Sequence, residues 1–255
     1  MSIDDESNEI LEIDTISTYI SATLLFLIGN SQADAAEIAG QIKISGQISN
    51  QTKRKLIYYI QALAEGKLQM ILKSPFNEKD VESNDFQELA LNSLWRELGF
   101  GIFNIANKLI GNINTEGNDI YFDKVIDLSV SENIYEKQKS IFTGPYHLAK
   151  LLKILEADIL NRAVINTSTP KGVDNMKWKN FLSKLASTRP YLWENHKTAV
   201  ETNFLEPGIS AILTLPTGAG KSTLSELKIA SCLFSGRKVV YIVPTHALED
   251  QVNRN

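Results

Sequence analysis

Cysteine is almost absent from this chain of 255 residues: Cys232 stands alone, so no internal disulfide can form, and the composition suits a reducing compartment. A strong basic balance is also missing. Net charge is −4 and the isoelectric point is near 5.5, so no bulk field draws the whole chain onto nucleic acid. Any such contact has to come from a local patch. Long apolar runs are missing as well. The most hydrophobic stretch, Ile20 to Ile28, is interrupted by Ser21 and Thr23 and falls short of the ~20 residues that cross a bilayer. The acids Asp4, Asp5, Glu6, Glu9, Glu12 and Asp14 precede it, where a secretion signal would carry positive charge. A cytoplasmic protein with no membrane partner is expected. The glycosylation triplets Asn50-Gln-Thr52 and Asn166-Thr-Ser168 are therefore read as chance. The three histidines, His147, His196 and His246, lack metal-ligand spacing to one another or to Cys232.

What is present is apolar periodicity, with 43% hydrophobic residues to build a core. Residues 1–187 carry a helical pattern with no clear alternating strand, and no repeat of fixed period. Phe86, Ala90, Leu94, Leu98, Ile102, Ile105 and Leu109 fall on one helical face, with Asn84 and Gln87 placed as a cap. Gly99 and Gly101 are positions where that helix bends or divides. Further helices are expected over Glu9–Ile28, Gln32–Ile42 with Ser31 as cap, Thr52–Leu72, and Pro145–Val164 with Thr143 as cap. Residues 112–140 read as irregular and polar, and 166–172 as a linker or exposed turn. Lys53, Arg54 and Lys55 read as an exposed first helical turn. Lys171, Lys177, Lys179, Lys184, Arg189 and Lys197 surround Trp178; a solvated helix face explains them better than a nucleic-acid surface.

Beyond about Ser187 the pattern changes. Ser210–Leu215 and Lys238–Val243 are short β-branched apolar runs, each leading into a turn. Between them Lys221 to Phe234 reads as a helix ended at Gly236. Strand, loop, helix, strand is the unit of a parallel α/β sheet. The loop is Leu215-Pro-Thr-Gly-Ala-Gly-Lys-Ser-Thr223. Gly218 and Gly220 permit backbone angles that aim successive amides at phosphate oxygens, and the following helix offers its positive dipole end. Lys221 is placed to bridge phosphates, and the Ser222 hydroxyl to ligate Mg²⁺. Leu215 stands where the strict phosphate-loop pattern has its first glycine, which argues against a kinase or GTPase. Cys232, on the same helix, reads as core packing rather than a nucleophile.

On these residues the chain resembles the superfamily 2 DEAD/DExH-box helicases, at the start of their first RecA-like domain. Pro216 to Thr223 is similar to their motif I, and Pro244-Thr-His-Ala-Leu-Glu-Asp-Gln251 to motif Ia. The resemblance covers about residues 188–255. It implies the beginning of an α/β RecA-like phosphate-loop domain over 188–255, which follows the α amino-terminal domain that the helical pattern gives over 1–187. It also implies ATP and Mg²⁺ as cofactors. Thr217, Gly218, Ala219, Gly220, Lys221, Ser222 and Thr223 would hold the nucleotide, with Lys221 catalytic. Pro244, Thr245 and His246 would hold a DNA or RNA backbone; the family has Arg at the His246 position, so that grip should be weaker. His196 stands where the family's adenine-reading glutamine stands, with Tyr191 or Trp193 as candidate base stackers or as packing residues.

The carboxylate pair that completes Mg²⁺ coordination, the Ser-Ala-Thr motif and a second RecA-like lobe are not among these 255 residues. The chain alone is therefore expected not to hydrolyse ATP, and to be the front of a longer helicase or translocase whose helical region docks a protein partner. Two rivals stand beside this reading. One is a protein-interaction module with a vestigial or regulatory ATP site. The other is the duplex-DNA translocase lobe of a restriction or antiviral defence complex.

Overall fold

The computed structural model describes residues 15–42, 50–76, 85–112, 120–131, 139–140, 142–215 and 220–242. It contains ten α-helices among the described residues. These are α1 (Thr18–Ile28), α2 (Gln32–Gln41), α3 (Gln51–Ala64), α4 (Leu68–Leu72), α5 (Phe86–Leu109), α6 (Tyr121–Leu128), α7 (Thr143–Asn161), α8 (Asn175–Ala186), α9 (Glu194–Glu201) and α10 (Lys221–Phe234). A two-residue antiparallel pair, β1 (Val130–Ser131) with β2 (Lys139–Ser140), follows α6. The chain forms two compact units, Met1–Thr167 with Leu182–Glu194, and Ser168–Phe181 with Asn195–Asn255. The boundary expected between 187 and 188 falls inside the second piece of the first unit. Among the described residues, no helix is long and apolar enough to cross a membrane.

The first unit is all but wholly helical and is organised on α5. At 24 residues α5 spans about 36 Å. It packs against α3, α4, α6 and α7, while α1 contacts α2, α3 and α7. The expected stripe is inside from Leu94 to Leu109, but Phe86 begins it in solvent, 88% exposed. The cap is Asp85, whose carboxylate accepts from the Gln87 backbone at 2.9 Å. Gly99 and Gly101 do not divide the helix, which runs unbroken through both. They make room: the Phe76 ring seats on Gly99 and the Phe122 ring on Gly101, so closely that an added Cβ would strike either ring. Both glycines are themselves buried, so a bulkier residue at either has to displace a ring packed in the core.

Other departures have local causes. The helix expected over Thr52–Leu72 is two helices, because the chain turns at Gly66 with φ +70°. In the polar stretch after 112 the structure holds α6, which buries Phe122 and Val125. Of the basic triplet, Lys53 is not exposed. It is 2% exposed, donates to the Thr15 carbonyl and lies 5.2 Å from the Trp95 ring centroid. Asn50 has structural work of its own: its side chain caps α3 by accepting from the Lys53 amide at 2.9 Å and donates to Asn92. The expected strands are absent. Residues 211–215 and 237–242 are neither helix nor strand, and Ile212, Val240 and Ile242 are 97%, 85% and 88% exposed.

The segment after α8 is tied back into the first unit. The Tyr191 hydroxyl donates to the Leu63 and Ala64 carbonyls at 3.2 and 3.1 Å, and the backbone of Val164 and Leu192 pairs with Pro190 and Arg162 at 2.9 and 2.7 Å. Burial raises the Tyr191 phenol far above its ordinary range, although the nearby Arg162 guanidinium acts in the opposite sense. Burial, and secondarily Tyr58, pushes the Tyr59 phenol up to about 12.

Two expectations follow from this packing. Gly99→Ala or Gly101→Ala should destabilise the protein by ~1–3 kcal/mol, the usual cost of overpacking a tight core, read as a lower urea midpoint. An unchanged midpoint would refute the ring-on-glycine packing. The second concerns alkali. Unfolded tyrosines ionise near 10, so above about pH 10 the unfolded chain releases protons that the folded one keeps. Stability should therefore be full below about pH 10 and fall as the pH rises towards 12. Tyr191→Phe should flatten that fall, and a decline just as steep would count against the buried phenol as its source.

Candidate nucleotide-phosphate site

The second unit is assembled on α10. Leu224, Leu227 and Ala230 are its buried face, and Ser231 Oγ donates to the Leu205 carbonyl at 2.5 Å. Lys228 Nζ donates to the carbonyls of Phe204 and Glu206 at 2.8 and 2.7 Å, drawing the loop after α9 onto the helix. Glu206 in turn accepts from the Lys171 amide at 3.0 Å. Trp178 is fully buried, tilted against Phe181 at 5.9 Å, and Phe181 meets Phe234 edge-on at 6.0 Å. Trp178 is thus a core residue, with Lys177 and Lys179 exposed beside it. Cys232 is only half-buried.

At the other end of α10 lies the candidate site. The helix runs over the span read from sequence, Lys221–Phe234, and Gly236 follows it at φ +81°. Its N-cap is Gly220, held at φ +74° and ψ 28°, a left-handed conformation that glycine adopts without strain. Its carbonyl accepts from the Thr223 amide at 3.0 Å. Lys221 and Ser222 follow at the first two helical positions, both exposed, with Thr223 half-buried. These positions place an ammonium, a hydroxyl and the first free amides of a fourteen-residue helix at one end of its dipole.

His196 joins this end from α9. It is 3% exposed and shares the buried face of that helix with Ala199. Its ring lies directly over Gly220: a Cβ there would collide with Nε2 and Cε1. Gly220 therefore answers two demands at once, a positive φ and a ring against its α-carbon. The His196 amide is held by Asn195 Oδ1 at 2.9 Å. Beside the site an open groove of about 570 Å³ runs between α9 and residues 209–215, lined among others by Thr198, Thr202, Phe204 and Leu215. The groove gives no signal in the sequence, because its threonines are ordinary surface residues of a short helix.

Of the residues named from sequence, the structure brings together Gly220, Lys221, Ser222, Thr223 and His196. Thr217, Gly218 and Ala219, and the strand contacts Pro244, Thr245 and His246, lie outside the described residues. Tyr191 is not a base stacker, since its ring is buried and its hydroxyl is committed to Leu63 and Ala64. Trp193 is half-buried. Lys228 and Ser231, which hold the loop after α9, and Glu206 within that loop carry no signal in the sequence that would single them out. Comparison with protein-family models, with curated proteins and with solved structures gave no match.

The stacking of His196 on Gly220 has a measurable signature. Gly220→Ala should cost ~1–2 kcal/mol for the left-handed backbone alone, and more for the displaced ring. In a His196→Ala background the second part should vanish, so the two substitutions should be less than additive in thermal unfolding. Strict additivity would mean that the ring does not rest on the glycine.

Proposed function

We propose that this protein binds ATP·Mg²⁺ at the amino-terminal end of α10, as the phosphate-binding region of a superfamily 2 helicase-type nucleic-acid motor. The observation that carries the reading is the left-handed Gly220 at the helix start, with Lys221 and Ser222 exposed immediately after it. That geometry coincides with the Pro216-Thr-Gly-Ala-Gly-Lys-Ser-Thr223 sequence, in which two glycines, a lysine and a hydroxyl stand at phosphate-loop spacing. The residues fit the ligand chemically. Gly220 supplies the left-handed backbone that starts the helix, Lys221 supplies a point charge for the phosphates, and the Ser222 hydroxyl is a hard oxygen suited to Mg²⁺.

The helicase assignment rests on sequence: on Leu215 in place of a first glycine, and on Pro244-Thr-His246 as a motif Ia that grips a DNA or RNA backbone. The α/β character of this region is part of the same proposal. Residues 211–215 and 238–242 have strand composition, and their exposed Ile212, Val240 and Ile242 are side chains that a completed sheet would cover. The helical unit enters as an accessory domain that docks a protein partner.

The test is equilibrium binding of ATP·Mg²⁺ to the purified chain. Lys221→Ala should weaken binding at least tenfold, about 1.4 kcal/mol, with unchanged circular dichroism. Equal affinity of the variant and the parent would sink the assignment.

A further inference from the structure

We infer that His196 acts on the phosphate end of this site and not on the base, so that the site takes nucleoside triphosphates as a class, without selecting adenine. The inference rests on the nucleotide reading of α10 given above and concerns what the site recognises. A side chain that reads a base has to present its polar edge to the ligand. His196 exposes 3% of its surface, and the edge carrying Nε2 and Cε1 is turned onto Gly220. That contact is with the residue immediately before Lys221. The ring is therefore placed to hold the left-handed turn from which the lysine and Ser222 extend.

Its backbone supports the same orientation. The Asn195 carboxamide fixes the His196 amide, and the side chain points to the face of α9 that also buries Ala199, away from solvent. Of the two aromatics that sequence offered as base stackers, Tyr191 has its hydroxyl bound to two backbone carbonyls and its ring buried, and Trp193 is half-buried. Among the described residues, the head of α10 exposes Lys221 and Ser222, an ammonium and a hydroxyl. Both address phosphate oxygens and Mg²⁺, which are common to every nucleoside triphosphate. His196 is a positioning residue here: it acts through Gly220 and does not touch the base.

The experiment compares Mg²⁺ complexes of ATP, GTP and inorganic triphosphate, bound to the parent chain and to His196→Ala, His196→Gln and Lys221→Ala. Proton spectra follow the imidazole, which is assignable because the chain has three histidines. In the parent, ATP and GTP should bind within about threefold of each other, and inorganic triphosphate alone should shift the His196 ring signals. His196→Ala should weaken all three ligands by a common factor, about tenfold, leaving the ATP-to-GTP ratio unchanged at equal helicity. Should the alanine variant fail to fold, His196→Gln carries the same comparison with a polar side chain of similar reach. A selective loss of ATP in either variant would overturn the inference and leave the phosphate site intact, as would ring signals that respond to ATP but not to triphosphate. Affinities untouched by both His196 variants would overturn it too. If the parent binds none of the three, or Lys221→Ala binds all of them equally well, the phosphate-site reading itself fails and this inference falls with it.

Discussion

An α-helix leaves its last four carbonyls without partners, and this protein answers that deficit with side chains sent from distant elements. Arg162, 3% exposed, donates to the Leu27 carbonyl of α1 at 3.2 Å and is paired with Asp158. Gln61 reaches the Ala39 and Ile42 carbonyls at the end of α2 at 2.8 and 2.9 Å, and Tyr191 reaches those at the end of α3. Lys228 does the same for the loop after α9. Each such bond offsets the desolvation of a buried carbonyl, and the donor becomes hard to replace: without it a polar group is left unsatisfied inside. In the first unit these bonds fix where the helices end relative to one another. The apolar stripes then fill in.

That principle also explains how much could be read from sequence. Helices with a continuous apolar period and a clear stop were legible. The period placed α5, and Gly236 marked the end of α10. The donors at helix ends were not. Lys53 and Lys228 look like any surface lysine until folding puts carbonyls around them. Gly99 and Gly101 resembled breaks, because an isolated glycine does not reveal the ring that will occupy its empty side. The 210–215 and 238–242 runs show the opposite error. Composition made them strands, yet a strand is a pairing, and in residues 211–215 and 237–242 no ladder forms.

The candidate site divides along the same line. Gly220, Lys221 and Ser222 follow from local spacing, because a phosphate loop is a contiguous device. The placement of His196 does not follow from spacing. Twenty-four positions separate it from Gly220, and only the packing of α9 against the head of α10 brings the ring to that glycine. The resemblance to helicases assigned that position to the base, whereas the geometry sets the ring on Gly220, next to Lys221.

The bond from Tyr191 to the end of α3 joins residues 127 and 128 positions apart, and Arg162 meets Leu27 across 135. The first unit is discontinuous in the chain, and its closing strap, Leu182–Glu194, comes after the first part of the other unit. Synthesis from the amino end at ~5–20 residues per second puts roughly 6 to 25 s between the appearance of Ala64 and that of Tyr191. During that interval the Leu63 and Ala64 carbonyls lack the Tyr191 hydroxyl that they meet in the folded unit. The contacts that close the first unit are therefore non-local ones, of the kind that slows folding.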